Sequence, residues 1–220
     1  EVWLQTLDRD QERLRLLRWC PEDGTTGAVL VEEDPHWVEP VDLMAWLGDG
    51  ALLWGSRRSG WMHLYRVSDG GELEDLTPGR GDVTGLLGLD RDRRHAWVQA
   101  ARPMGRERRL LRVGLEGGGV LELTPRRGWH RGWLSPGAEH LLVESSSSDR
   151  PPRLEMMTAD GRPLRVEADP GGEMEVAPVR FLAVPGADGD DLDAALLRPP
   201  HPEGAVPVVV HLYGGPHGQV

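Results

Sequence analysis

The chain has no lysine, no asparagine and no isoleucine among its 220 residues, and only one cysteine and one phenylalanine. With Cys20 alone, an intrachain disulfide cannot form. Without asparagine there is no N-glycosylation acceptor. No apolar run approaches the ~20 residues that a membrane-spanning helix needs. All 25 basic residues other than histidine are arginine, which reads as GC-rich codon bias, so arginine content as such carries no functional weight. A net charge of −11 and a pI near 5.2 argue against nucleic acid or an anionic membrane as the main partner. Such a surface gains nothing from counterion release. No signal peptide is evident, although the chain opens on Glu1 rather than Met. The compartment is read as cytoplasmic in preference to periplasmic.

What is present is short strands. "LLWGS", "MHLYRV", "HAWVQAA", "RLLRVGL", "HLLVESS" and "RLEMMTA" are separated by Asp-Gly, Gly-Asp-Gly and Pro-Gly turns. That texture indicates an all-β sandwich or propeller. Arg13, Leu14, Arg15 and Leu16 alternate polar with apolar, which is strand periodicity, until Leu17 breaks it. A repeat decides between the two architectures. "HLYRV" from His63 returns as "RLLRV" from Arg109, 46 residues on, and "DLTPGRGDV" from Asp75 returns as "ELTPRRGWH" from Glu122, 47 on. "LDRDRRH" from Leu89 returns as "LSPGAEH" from Leu134, 45 on. A period of about 40–50 residues with about four strands is that of a propeller blade. About four blades are expected: Glu1 to His36, Trp37 to Gly81, Asp82 to His130, and Arg131 to Ala168. The Trp residues are expected to fill the layers between them.

From Glu175 the texture changes. Strands are expected over Val179–Val184 and Leu192–Arg198, then an apolar strand in "VPVVVHLY" running into "GGPHGQV". This order resembles the entrance to an α/β-hydrolase sheet.

In their order, "QTLDRDQERLRLL", "VLVEEDPHWV", "LLWGSRRSGWMHLYRVSDGGELEDLTPG", "GRERRLLRV", "GWHRGWLSPG", "SSSSDRPP" and above all "PVVVHLYGGPHGQV" resemble the prolyl oligopeptidase family of serine peptidases, in its bacterial dipeptidyl peptidase IV-like branch. The resemblance implies residues 1–174 as part of an eight-bladed propeller and residues 175–220 as the start of a catalytic domain. It implies a parent enzyme that releases Xaa-Pro or Xaa-Ala dipeptides from peptide N-termini. The nucleophile, acid and base would lie beyond these residues, and no Ser here sits in a Gly-x-Ser-x-Gly elbow. The resemblance makes Tyr213 the oxyanion-hole hydroxyl, with Gly214 and Gly215 shaping the loop. On spacing alone, Tyr213 is equally a strand cap before a plain Gly-Gly-Pro turn.

Glu32 and Glu33 are read as solvated or salt-bridged, and not as the glutamates that bind a substrate amine, which are expected outside this chain. Relatives carry Ser-Glu-Arg-Asp-Gly-Trp where Ser56-Arg57-Arg58-Ser59-Gly60-Trp61 stands, and Ser-Pro-Asp-Gly where Ser135-Pro136-Gly137-Ala138 stands. No histidines pair at metal-ligand spacing, so neither metal nor cofactor is expected. His130 and His211 read as structural, and His217 as structural or lining the site's mouth. The run Ser145 to Ser148 reads as a strand end. The expected partner is a peptide substrate of the parent, with self-association or docking to the missing half of the propeller. The alternative function is a non-catalytic propeller serving as a binding or scaffold module.

Overall fold

The computed structural model describes residues 2–101, 106–171, 177–199 and 204–212. Among the described residues every regular element is a strand. The first meander is β1 (Val2–Leu7), β2 (Arg13–Trp19) and β3 (Thr26–Glu33). The second is β4 (Met44–Trp46), β5 (Leu52–Ser56), β6 (His63–Val67) and β7 (Leu73–Asp75). The third is β8 (Asp82–Leu89), β9 (His95–Ala101), β10 (Arg108–Gly114) and β11 (Val120–Glu122), and the fourth is β12 (Trp129–Leu134), β13 (His140–Ser147), β14 (Arg150–Thr158) and β15 (Pro163–Ala168). Consecutive strands pair antiparallel within each meander. The third and fourth touch through one parallel pairing, Arg108 with Trp129. The expected blades are therefore present, with one shift of boundary: Trp129 and His130 open the fourth sheet rather than close the third.

Side-chain alternation explains the stacking. In a strand, successive residues face opposite sides of the sheet. On β5, Leu52 and Trp54 join a cluster with Leu14, Leu16 and Leu30 of the first sheet, while Leu53 joins Val83, Ala96 and Val98 of the third. On β9, Ala96 and Val98 face the second sheet, while Trp97 faces Leu141, Val143 and Met157 of the fourth. The second and third sheets are thus covered on both faces, and β5 is buried along its whole length. The first sheet is covered on one face, so β2 alternates between exposed Arg13 and Arg15 and buried Leu14 and Leu16. Leu17 marks a bulge: the β2–β3 register slips between Leu16 and Leu17. Trp54 and Trp97 fill inter-sheet layers as expected. Trp19, Trp37 and Trp133 do not; they are exposed.

The first turn recurs. Asp8, Asp90 and Ser135 each end the first strand of a sheet, and each side-chain oxygen accepts the amides four and five residues on. The third residue after each, Gln11, Arg93 or Ala138, adopts φ of 58°, 53° and 53°. The Asp90 and Ser135 turns stand 45 residues apart, so between the third and fourth sheets the repeat is one of turn chemistry as well as of strands.

Residues 177–212 differ. β16 (Val179–Pro185) pairs with β17 (Asp191–Leu197) alone, close to the expected bounds. Phe181, Leu192 and Leu197 are exposed. "VPVVV" is not a buried strand within this chain: Val208, Val209 and Val210 are 79%, 92% and 73% exposed and lie in no strand. A strand is held by a neighbour's hydrogen bonds, and no described segment offers an edge here.

Candidate functional site

Tyr213, Gly214, Gly215 and His217 lie outside the described residues. Leu212, the last one described, ends an exposed segment that lies in no strand.

Within the sheets, one constellation has the composition of a hydrolytic triad. His63 opens β6, Asp75 closes β7, and Ser59 sits on the turn between β5 and β6. His63 Nδ1 lies 3.0 Å from Ser59 Oγ and 2.7 Å from Asp75 Oδ2, while Nε2 meets the Gly79 carbonyl at 2.9 Å. A relay needs hydroxyl and carboxylate on opposite ring nitrogens. Here both crowd one nitrogen and a carbonyl occupies the other. The ring is 3% exposed, and the Ser59 hydroxyl also donates to the Trp61 carbonyl. This is a clamp, not a nucleophile.

The third sheet repeats it with different atoms. Arg109 takes the place of His63 and donates to Glu122 Oε1 at 2.9 Å and to the carbonyls of Thr124 and Arg126 at 2.7 and 2.8 Å. In both sheets a threonine hydroxyl accepts the next amide of the facing strand: Thr77 from Leu64 and Thr124 from Leu110, each at 2.9 Å. The "DLTP" and "ELTP" repeats are this clamp. A buried amide beside a missing fourth-strand partner needs an acceptor, and threonine supplies it.

Glu32 forms the second buried polar centre. It is the penultimate residue of β3, faces β5, and accepts from Trp54 Nε1 at 2.8 Å, Ser56 Oγ at 2.9 Å and Arg58 at 2.6 Å. It is salt-bridged, as expected, and buried rather than solvated. Glu33 faces solvent and pairs with Arg13 at 2.5 Å. The Glu32 carboxylate is taken up by its three donors.

His130 is structural. Its Nδ1 meets Ser145 Oγ and its Nε2 meets the Arg126 carbonyl, each at 2.8 Å. Burial lowers its pKa, the carbonyl opposes this, and the Arg109 cation adds to the lowering. Ser145 to Ser147 end β13, as expected. Among the described residues no group of three His, Cys, Asp or Glu side chains converges on a metal position. A hollow of about 480 Å³ beside Glu144, Arg153 and Asp169 is lined by no Ser, Cys or His.

Four antiparallel meanders stacked face to face at a 45-residue period define blades of the β-propeller class. The chain belongs to the family described as the dipeptidyl peptidase IV (DPP IV) N-terminal region, whose model matches residues 1–152. A curated relative, named "probable dipeptidyl peptidase 4" in Aspergillus flavus, is 26% identical over 216 residues, covering 90% of this chain and 27% of the relative. The crystal structure of dipeptidyl peptidase 4 from Porphyromonas gingivalis superposes with a TM-score of 0.76 at 20% identity, over 90% of this chain and 29% of that one. A second solved structure, from Bacteroides ovatus, gives 0.71 at 22% identity, over 90% of this chain and 32% of that one. The chain thus spans about a quarter to a third of the relatives it matches.

Proposed function

We propose that these residues belong to a serine-type dipeptidyl peptidase that releases Xaa-Pro or Xaa-Ala dipeptides from peptide N-termini. In this reading residues 1–174 are propeller blades that restrict access to a catalytic domain, and residues 175–220 begin that domain. The Ser-Asp-His machinery and the glutamates that bind the substrate amine lie elsewhere in the protein, and Tyr213 contributes a hydroxyl to the oxyanion. A phenol, with an ordinary pKa near 10, is a neutral donor at pH 7. The observation that carries the reading is the family match over residues 1–152, together with the superposition of the stacked sheets on a dipeptidyl peptidase 4 structure. The apolar surface left open on β16, β17 and Val206–Leu212 supports a further domain against them.

The test is release of dye from a Gly-Pro amide. The full-length protein is expected to turn it over, and the 220-residue chain alone is not. Tyr213→Phe in the full-length protein should lower kcat by roughly a hundredfold or more with little change in KM, the scale of losing one oxyanion donor. Turnover by the 220-residue chain, free of contaminating peptidase, would overturn the placement of the machinery. A full-length protein that binds peptides without cleaving them would point instead to a non-catalytic propeller module.

A further inference from the structure

The chain is acidic overall, yet one end of its middle sheets is basic. The β5–β6, β7–β8 and β11–β12 connections and the start of β10 share that end, where Met62 N donates to Asp82 Oδ1 at 2.7 Å and Arg108 N to the Gly128 carbonyl at 3.1 Å, and where the arginines outnumber the carboxylates Asp82 and Glu107 that pair with Arg57 and Arg127. They carry exposed Arg57, Arg80, Arg126 and Arg127 beside Arg106. The turns at the opposite end carry Asp49, Asp69, Asp90, Glu116 and Asp160, with Arg91, Arg93 and Arg94 in the Asp90 turn. The β16–β17 hairpin has the reverse character, with Asp188, Asp190, Asp191 and Asp193 at and beside its turn, all exposed. The two surfaces meet: Arg106 Nε donates to Asp193 Oδ1 at 2.6 Å, and a second guanidinium nitrogen reaches the same oxygen. Asp193 is the main cause of a raised Arg106 pKa, and Asp191 adds a smaller Coulombic contribution.

We propose that the basic end of the second and third sheets is the docking surface for the acidic turn of the β16–β17 hairpin, with Arg106 and Asp193 as its clasp. The apolar core of the stacked sheets ends at Ala159, and no buried cluster includes a residue of β16 or β17. Charge therefore sets where the hairpin sits. This assignment stands whether or not the protein is a peptidase. An attachment of this kind holds at low ionic strength and yields as salt shortens the screening length from ~10 Å at 0.1 M to ~3 Å at 1 M.

Hydrogen–deuterium exchange of the 220-residue chain tests it, read on peptides covering Val179–Leu197 with β9 peptides as the folding control. Arg106→Glu should speed exchange of the hairpin roughly threefold or more, from a lost exposed pair plus the repulsion replacing it. Raising NaCl toward about 1 M should do the same to the unsubstituted chain. Joining Arg106→Glu to Asp193→Arg should restore protection. Equal hairpin exchange in Arg106→Glu and the unsubstituted chain overturns the proposal. If Arg106→Glu loosens β9 as well, the paired substitution decides: recovery of the hairpin supports the clasp, and no recovery overturns it.

Discussion

Glu32 accepts three side-chain hydrogen bonds at the seam between the first two sheets. Replacing it by alanine leaves the Trp54 indole N–H, the Ser56 hydroxyl and the Arg58 guanidinium without their acceptor. Glu32→Ala is expected to cost about 2–4 kcal/mol, read from the urea midpoint, because a cation loses its partner beside a buried indole. Glu32→Gln keeps an acceptor and should cost less. His130 gives the opposite kind of dependence. Its folded pKa is depressed, first by burial, so protonation favours the unfolded chain. Its contribution is whole above the unfolded value near 6.5 and is lost as pH falls below it toward the folded value. The melting temperature should therefore fall between about pH 7.5 and 5.5, and His130→Gln should flatten part of that slope.

The recurring turn makes its own prediction at the scale of the element. Arg93 and Ala138 hold left-handed backbone, which costs an L-residue about 1 kcal/mol or more and glycine very little. Ala138→Gly is expected to raise stability by up to about 1 kcal/mol, less what the freer unfolded chain takes back. A loss of stability in the denaturation midpoint would mean the turn is not held as described. Strand existence and turn position were legible because both are local: alternation at Arg13 to Leu16, and Asp-Gly and Pro-Gly between runs; that the break at Leu17 is a bulge came from the pairing with β3. The partners of those strands' polar groups were not. Glu32 meets Trp54 and Ser56 more than twenty residues away, and nothing in "VEEDP" distinguishes the buried glutamate from the exposed one. Two repeats held the clue to the clamp: "HLYRV" with "RLLRV" places His63 over Arg109, and "DLTP" with "ELTP" places Asp75 over Glu122.

At the scale of the whole molecule, the outer faces of the first and fourth sheets are open. Val2, Leu4 and Val31 on one side and Trp133, Leu164 and Val166 on the other are each more than a third exposed. The hairpin and Val206–Leu212 add to this surface. Apolar area on that scale drives association. The 220-residue chain is expected to show a sedimentation coefficient that rises with concentration, and a monodisperse monomer at every concentration would count against open faces. Our reading is that in the full protein further blades and the catalytic domain cover them.

Period-two alternation, turn residues and the 45-residue repeat determined the blades from the sequence alone, because each rests on backbone geometry within a few neighbouring residues. The tertiary structure alone decided which carboxylates are buried, that Ser59, His63 and Asp75 form a clamp with no relay, and that Asp193 meets Arg106. Those outcomes depend on which sheet lies against which, and stacking brings together residues whose separation along the chain carries no trace of the contact.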